Sequence, residues 1–147
     1  MSAPRNGDIL IVEDNPSDAE LTLRALHKAR VANGIHVVQD GAEALEFLFA
    51  KGAFAGRAGA TTQLVLLDLK LPKVDGLEVL RKVKSDPRTK AIPVIVLTSS
   101  REEKDLMASY DLGANSFIVK PVESEKFFDA VKEIGLYWLL LNEPAHG

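Results

Sequence analysis

The segment Gln63-Leu64-Val65-Leu66-Leu67-Asp68-Leu69-Lys70-Leu71-Pro72 constrains the fold of this chain more than any other. Its four consecutive apolar residues, Leu64 to Leu67, are too few for a buried helix and show no polar alternation, so they specify a central parallel strand covered on both faces. The run ends in a carboxylate, Asp68. In open α/β sheets, ligands sit at the carboxyl ends of the strands. A single aspartate at such an end is most simply a turn residue that hydrogen-bonds its own loop, so the remaining sequence has to decide its role.

Four further runs repeat the pattern. Ile9-Leu10-Ile11-Val12 ends in Glu13-Asp14, and Ile35-His36-Val37-Val38 precedes the turn Asp40-Gly41. Pro93-Val94-Ile95-Val96-Leu97 ends in Thr98, and Ser116-Phe117-Ile118-Val119 ends in Lys120-Pro121. Helical patterns lie between them. The first starts near Pro16, carries Leu21, Leu23, Ala25, Leu26 and Ala29, and stops at Asn33-Gly34; the second carries Ala44, Leu45, Phe47, Leu48 and Phe49. The third has Leu77, Val79, Leu80 and Val83 inward before Asp86-Pro87. The fourth, Glu102 to Leu112, is anchored by Leu106, Met107, Tyr110 and Leu112, and the fifth runs from about Ser124 to Asn142. Strands alternating with helices predict a parallel sheet with helices on both faces, joined by right-handed crossovers. Lys51 to Thr62, with three glycines and four alanines, reads as a loop longer than most connections in compact α/β units.

With 147 residues, 46% of them hydrophobic and 27% charged, the chain fits one ordinary globular domain. A net charge of -3 argues against a nucleic-acid surface. The absence of cysteine excludes disulfides, thiol catalysis and thiolate zinc sites. The N-terminal residues lack the apolar core of a signal peptide, and no run is long enough to span a bilayer, so a cytoplasmic protein without membrane contact is expected. His27, His36 and His146 have no metal-ligand spacing and read as incidental to their elements.

The polar residues at the strand ends share one edge of a parallel sheet. Glu13 and Asp14 end the first strand, Asp68 the third, Thr98 the fourth and Lys120 the fifth. Three converging carboxylates repel and raise one another's pKa unless a cation sits among them, and a hard divalent ion with oxygen ligands is the simplest remedy. Magnesium, or manganese, suits that donor set. An aspartate beside such an ion can attack phosphorus to form an aspartyl phosphate, with Lys120 and the Thr98 hydroxyl neutralising the equatorial oxygens of the transferred group.

Motif by motif, the chain resembles the receiver domain of two-component response regulators over essentially its whole length. Val12-Glu13-Asp14-Asn15 is similar to the acidic metal-binding loop, and Leu67 to Gly76 to the phosphoacceptor loop with its following turn. Thr98 resembles the switch hydroxyl, Phe117 the switch aromatic, and Lys120-Pro121 the family's lysine and proline. The resemblance implies a flavodoxin-like (βα)5 fold with a doubly wound five-stranded parallel sheet in the order 2-1-3-4-5. It implies that Asp68 is phosphorylated by a sensor histidine kinase or a phosphorelay histidine protein. Asp14 and Asp68 would ligate the metal directly, Glu13 would act on its water shell, and the backbone carbonyl of Lys70 would complete the site. Lys120 would contact the phosphoryl oxygens, across a Lys120-Pro121 peptide expected to be cis. On phosphorylation, Thr98 would move toward the phosphoryl group and Phe117 would turn inward, changing the surface of the fourth helix, fifth strand and fifth helix. Such a protein is a phosphoacceptor that catalyses only its own phosphorylation and autodephosphorylation, and the side chain of Lys70 is expected to alter the latter.

In the last helix, Phe127, Val131, Ile134, Trp138 and Leu141 form one core stripe at helical spacing. The continuation Leu136-Tyr137-Trp138-Leu139-Leu140-Leu141 is apolar all round and has to bury a second face, either on its own domain or in a homodimer through Leu136, Tyr137, Leu139 and Leu140. The chain is expected to be a single receiver domain over 1–147, with tails at 1–7 and 142–147 and no output domain. The apolar helix end and the long loop before the central strand are similar to those of the stand-alone response regulators that partner bacterial phytochrome-type histidine kinases. Two alternatives fit less well. A hydrolase of the haloacid dehalogenase type expects a second aspartate where Lys70 stands, and a nucleotide-binding module expects a glycine-rich loop after Val12.

Overall fold

The computed structural model describes residues 7–28, 34–57, 61–69, 75–98, 110–119 and 125–135. Five strands, β1 (Asp8–Val12), β2 (Ile35–Val38), β3 (Thr62–Asp68), β4 (Val94–Thr98) and β5 (Ser116–Val119), form one parallel sheet in the order β2-β1-β3-β4-β5. The order expected from the resemblance is the order found. The three central strands bury almost every side chain on both faces, which is why they read as unbroken apolar runs rather than alternating ones.

Alternation within each strand sorts the core into two layers. Ile9, Ile11, Leu64, Leu66, Ile95, Leu97 and Ile118 meet Ala25 and Leu26 of α1 (Pro16–Lys28) and Phe127 and Val131 of the helix Glu125–Gly135. On the other face, Leu10, Val12, Val65, Leu67, Val94 and Val96 meet Ala44 and Phe47 of α2 (Gly41–Phe49) and Val79, Leu80 and Val83 of α3 (Gly76–Ser85). Each large aliphatic or Phe side chain so buried contributes roughly 1.5–3 kcal/mol, so these two layers dominate the stability of the sheet.

The helix starts follow local chemistry. Asp40 caps α2 by accepting from the Glu43 amide at 2.7 Å, while the Glu43 carboxylate reaches back to the Gln39 amide at 2.9 Å, a reciprocal arrangement that satisfies two otherwise orphan donors. Asp75 caps α3 in the same way, accepting from the Glu78 amide at 3.1 Å. The sequence reading of the fourth helix touches the described residues only at Tyr110 and Asp111, which are helical, and at the turn Leu112-Gly113. Tyr110 is not the buried anchor expected: it is 47% exposed, and its ring meets that of Phe117 edge-on at 5.8 Å.

At the lower edge of the sheet, where the strands begin, the Lys84 ammonium donates to the carbonyls of Ile92 (2.6 Å) and Lys90 (3.1 Å) and to Oδ1 of Asn115 (3.1 Å). Asn115 Oδ1 also accepts from the Val94 amide at 2.9 Å, and its own amide donates to the Val94 carbonyl at 2.9 Å. One lysine thus fastens the end of α3 to the start of β4 and to the turn before β5. Partial burial holds its amine below the ordinary lysine pKa.

Part of the segment read as a long loop is structured. Gly52–Arg57 forms a short 3-10 helix with a kink at Phe54, and side-chain contacts to β1, α2 and β3 hold it. The Arg57 guanidinium lies 3.6 Å over the Phe47 ring, pairs with Asp8 at 2.8 Å and donates to Thr62 Oγ1 at 3.3 Å. Phe54 packs on Phe47 edge-on at 5.2 Å. His36, read from the sequence as incidental, belongs to the same network, with Nε2 at 3.3 Å from Asp8 and its ring 5.0 Å from that of Phe47. The continuation of the last helix, with Leu136, Tyr137, Leu139 and Leu140, lies outside the described residues.

Candidate functional site

The site assembles where the central strands end. β1 runs into Glu13-Asp14-Asn15, whose backbone turns directly into α1. The Glu13 amide donates to the Val38 carbonyl at 3.0 Å, tying the acidic loop to the end of β2. The Asn15 amide donates to Glu13 Oε2 at 3.2 Å, and Asn15 Oδ1 accepts from the Asp18 amide at 3.1 Å, so Asn15 holds the Glu13 carboxylate in place and caps α1 at once. Glu13 is buried, whereas Asp14 faces solvent.

β3 delivers Asp68, which is only 6% exposed. Carboxylate oxygens of Glu13, Asp14 and Asp68 all lie within 4.8 Å of one another. The backbone beyond Asp68 is fixed on two sides, since the Leu69 amide donates to the Leu97 carbonyl at 3.2 Å and the Leu69 carbonyl accepts from the Gly76 amide at 3.0 Å. Gly76 sits so close that a Cβ there would lie 2.5 Å from Leu69 Cα, 2.6 Å from the Asp68 carbonyl oxygen and 2.9 Å from that of Leu69. Glycine is therefore required for the first turn of α3 to back directly onto the Asp68-Leu69 peptide. The sequence reading treats Gly76 as part of a turn; its steric role comes from a contact that spacing does not reveal.

β4 delivers Thr98, buried at the same end of the sheet, where it pairs in register with Val119 of β5. Phe117 registers with Val96, two residues before Thr98 on the same face of β4. The structure thus gathers Glu13, Asp14 and Asp68 into one pocket and sets Thr98 and Phe117 on the adjoining strands. Lys70, Lys120 and Pro121 lie outside the described residues. A shallow groove of about 420 Å³ lined by residues including Leu45, Phe49, Lys82 and Arg88 lies between the C-terminal ends of α2 and α3, on the opposite edge of the sheet from the carboxylates.

The donor set is chemically specific. Two of the three carboxylates are nearly fully buried, and buried charge is tolerated only when it is paired, hydrogen-bonded or bound to a metal. All three groups are hard oxygen donors with no imidazole or thiolate among them, which fits magnesium or manganese rather than zinc.

Fold, register and acidic edge together are those of a two-component signalling domain: residues 9–132 match the response regulator receiver domain, and the chain belongs to that family. Among its relatives is the response regulator Rcp1 of Synechocystis sp., 38% identical over 131 residues, which span 89% of this chain and 88% of that one. The manganese-bound form of Rcp1 superposes with a TM-score of 0.82, at 36% identity over 95% of this chain and 97% of that chain. The phosphorylated cyanobacterial phytochrome response regulator RcpA matches with a TM-score of 0.84 and 41% identity, covering 95% of this chain and 99% of that chain. The bacteriophytochrome response regulator AtBRR is 56% identical with a TM-score of 0.78, covering 95% of this chain and all of that chain (100%). Among the described residues no helix is long and apolar enough to cross a membrane.

Proposed function

We propose that Asp68 accepts a phosphoryl group from a histidine kinase, in a reaction that requires a divalent metal, and that the protein signals by changing its protein-contact surface. The observation that carries this reading is the convergence of Glu13, Asp14 and Asp68 within 4.8 Å at the ends of β1 and β3. In the transfer, an Asp68 carboxylate oxygen attacks phosphorus, the N–P bond of the donor phosphohistidine breaks, and the imidazole nitrogen leaves with the electron pair. Glu13, Asp14 and Asp68 would hold magnesium, with the Lys70 carbonyl completing the set. The ion supplies charge neutralisation on the phosphoryl oxygens. Asp68 is oriented for its role by the two hydrogen bonds that clamp Leu69, and Thr98 and Lys120 are assigned to the phosphoryl oxygens. Phe117 is assigned as the aromatic that turns as Thr98 moves.

The similarity to Rcp1, RcpA and AtBRR supports a stand-alone regulator working downstream of a phytochrome-type sensor kinase. A kinase charged from ATP places the reaction in the cytoplasm. A homodimer through Leu136, Tyr137, Leu139 and Leu140 is part of the same reading. The test is intact mass after incubation with acetyl phosphate and magnesium, with and without chelator. A metal-dependent gain of one phosphoryl group, about 80 Da, absent in Asp68→Asn, is the expected result. Label in the substituted protein would move the nucleophile elsewhere.

A further inference from the structure

We propose that Tyr110 is a positioning residue of the switch: its edge-on contact with Phe117 holds that ring at the lower part of β5, and it must be broken before the ring can turn toward Thr98. The inference rests on the phosphoacceptor reading above and adds a residue to it.

The geometry sets the sign. Phe117 and Val96 are register partners, and Val96, Thr98 and Phe117 lie on one face of the sheet. Thr98 is two residues further along β4, about 6.6 Å toward the phosphoacceptor edge at the rise of a parallel strand. Tyr110 lies the other way. Its carbonyl accepts from the Gly113 amide at 3.0 Å, and Asn115, two residues on, is hydrogen-bonded to the carbonyl of Val94, the first residue of β4. A ring rotated toward Thr98 moves up the strand and away from the turn that follows Tyr110, so the 5.8 Å edge contact is expected to break. A contact made in one of two states biases their equilibrium by its own free energy. An edge-to-face aromatic pair shifts such an equilibrium by about two- to twelve-fold, and a ligand that needs the minor state loses apparent affinity by the same factor.

Among the described residues, Phe117 is the ring that Tyr110 meets. Tyr110 is 47% exposed, so its ring is not there to fill the core, and the packing on this face comes from Leu112, Ala114 and Phe117 beside it. Its exposure also makes it replaceable without disturbing the sheet.

The experiment titrates beryllofluoride, a phosphoryl analogue, into the full chain at fixed magnesium, following the bound fluoride signal by NMR. It compares wild type, Tyr110→Ala and Tyr110→Phe. In parallel, aromatic NOEs without beryllofluoride report whether the Phe117 ring lies beside residue 110 or beside the Thr98 methyl. The proposal expects half-saturation of Tyr110→Ala at about two- to twelve-fold lower beryllofluoride, new NOEs from Phe117 to Thr98, and wild-type behaviour from Tyr110→Phe, which keeps the aromatic edge. Unchanged or weaker binding by Tyr110→Ala, with the wild type binding normally, overturns the role of Tyr110 and leaves the phosphoacceptor reading intact. A wild type that binds no beryllofluoride overturns the phosphoacceptor reading, and this proposal with it.

Discussion

Replacing Gly76 with alanine tests whether Asp68, the proposed phosphoacceptor, is held by backbone contact. The new methyl would lie 2.5 Å from Leu69 Cα and 2.6 Å from the Asp68 carbonyl oxygen. Ordinary contact begins near 3.4 Å, so the first turn of α3 and the Asp68-Leu69 peptide have to part by about 0.9 Å, and neither neighbour is a flexible side chain. Overpacking of this kind costs about 1–3 kcal/mol, offset in part by the better helix propensity of alanine, worth up to about 1 kcal/mol. Catalysis is more sensitive than stability, because misplacing a reacting group by about 1 Å costs on the order of a hundredfold in rate. Gly76→Ala is therefore expected to lower the initial rate of acetyl phosphate labelling by about ten- to a hundredfold at temperatures where it remains folded. Its urea midpoint should fall modestly. Gly56→Ala, where nothing lies within 4 Å of the added carbon, is the matched control and should label like wild type. A Gly76→Ala protein that labels within twofold of wild type would show that the Asp68 carboxylate is placed independently of the α3 contact.

Three further outcomes follow from the same geometry. Arg57→Ala removes the pair with Asp8 and the stack on Phe47, so trypsin should cut at Lys51 well before global unfolding; an unchanged digestion pattern would mean that the segment is held by Phe54 alone. Asp86 is drawn down to about 2 by its hydrogen bonds from Arg88, so its stabilising contribution is present above the ordinary value of 3.8 and is lost as pH falls through about 2. Carbon-detected NMR should place its titration there, and Arg88→Ala should return it toward 3.8. Replacing both Leu136 and Leu140 with glutamine should yield monomers by sedimentation velocity, and an unaltered sedimentation coefficient would reject the proposed dimer through Leu136, Tyr137, Leu139 and Leu140.

The sheet and its acidic edge are legible in the sequence for a plain reason. Buried parallel strands need continuous apolar runs, so Ile9 to Val12, Leu64 to Leu67 and Val94 to Leu97 announce themselves. The polar residues that follow each run then fall on one edge by topology alone, which is enough to bring Glu13, Asp14, Asp68 and Thr98 together. The caps of α2 and α3 are equally local, because Asp40 and Asp75 bond amides only three residues away. What escapes a sequence reading is held by distant partners. The 3-10 turn at Gly52–Arg57 has no apolar period and depends on Arg57 finding Asp8, 49 residues earlier. His36 looks incidental until Asp8 and Phe47 are placed beside it. Tyr110 has the spacing of a core anchor, and only the structure shows its ring against Phe117.

The Lys84 fastening gives the right-hand side of the sheet the mechanics of a cantilever. β4 and β5 are pinned at their roots, where one ammonium gathers three oxygens from two segments, while Thr98 and Val119 lie at the opposite ends. A load applied at the tip of such a beam deflects the tip and leaves the root still. If Asp68 is phosphorylated as proposed, the resulting displacement is expected in the upper half of β4 and β5, with the turn at Gly113 as the fixed point from which it is measured.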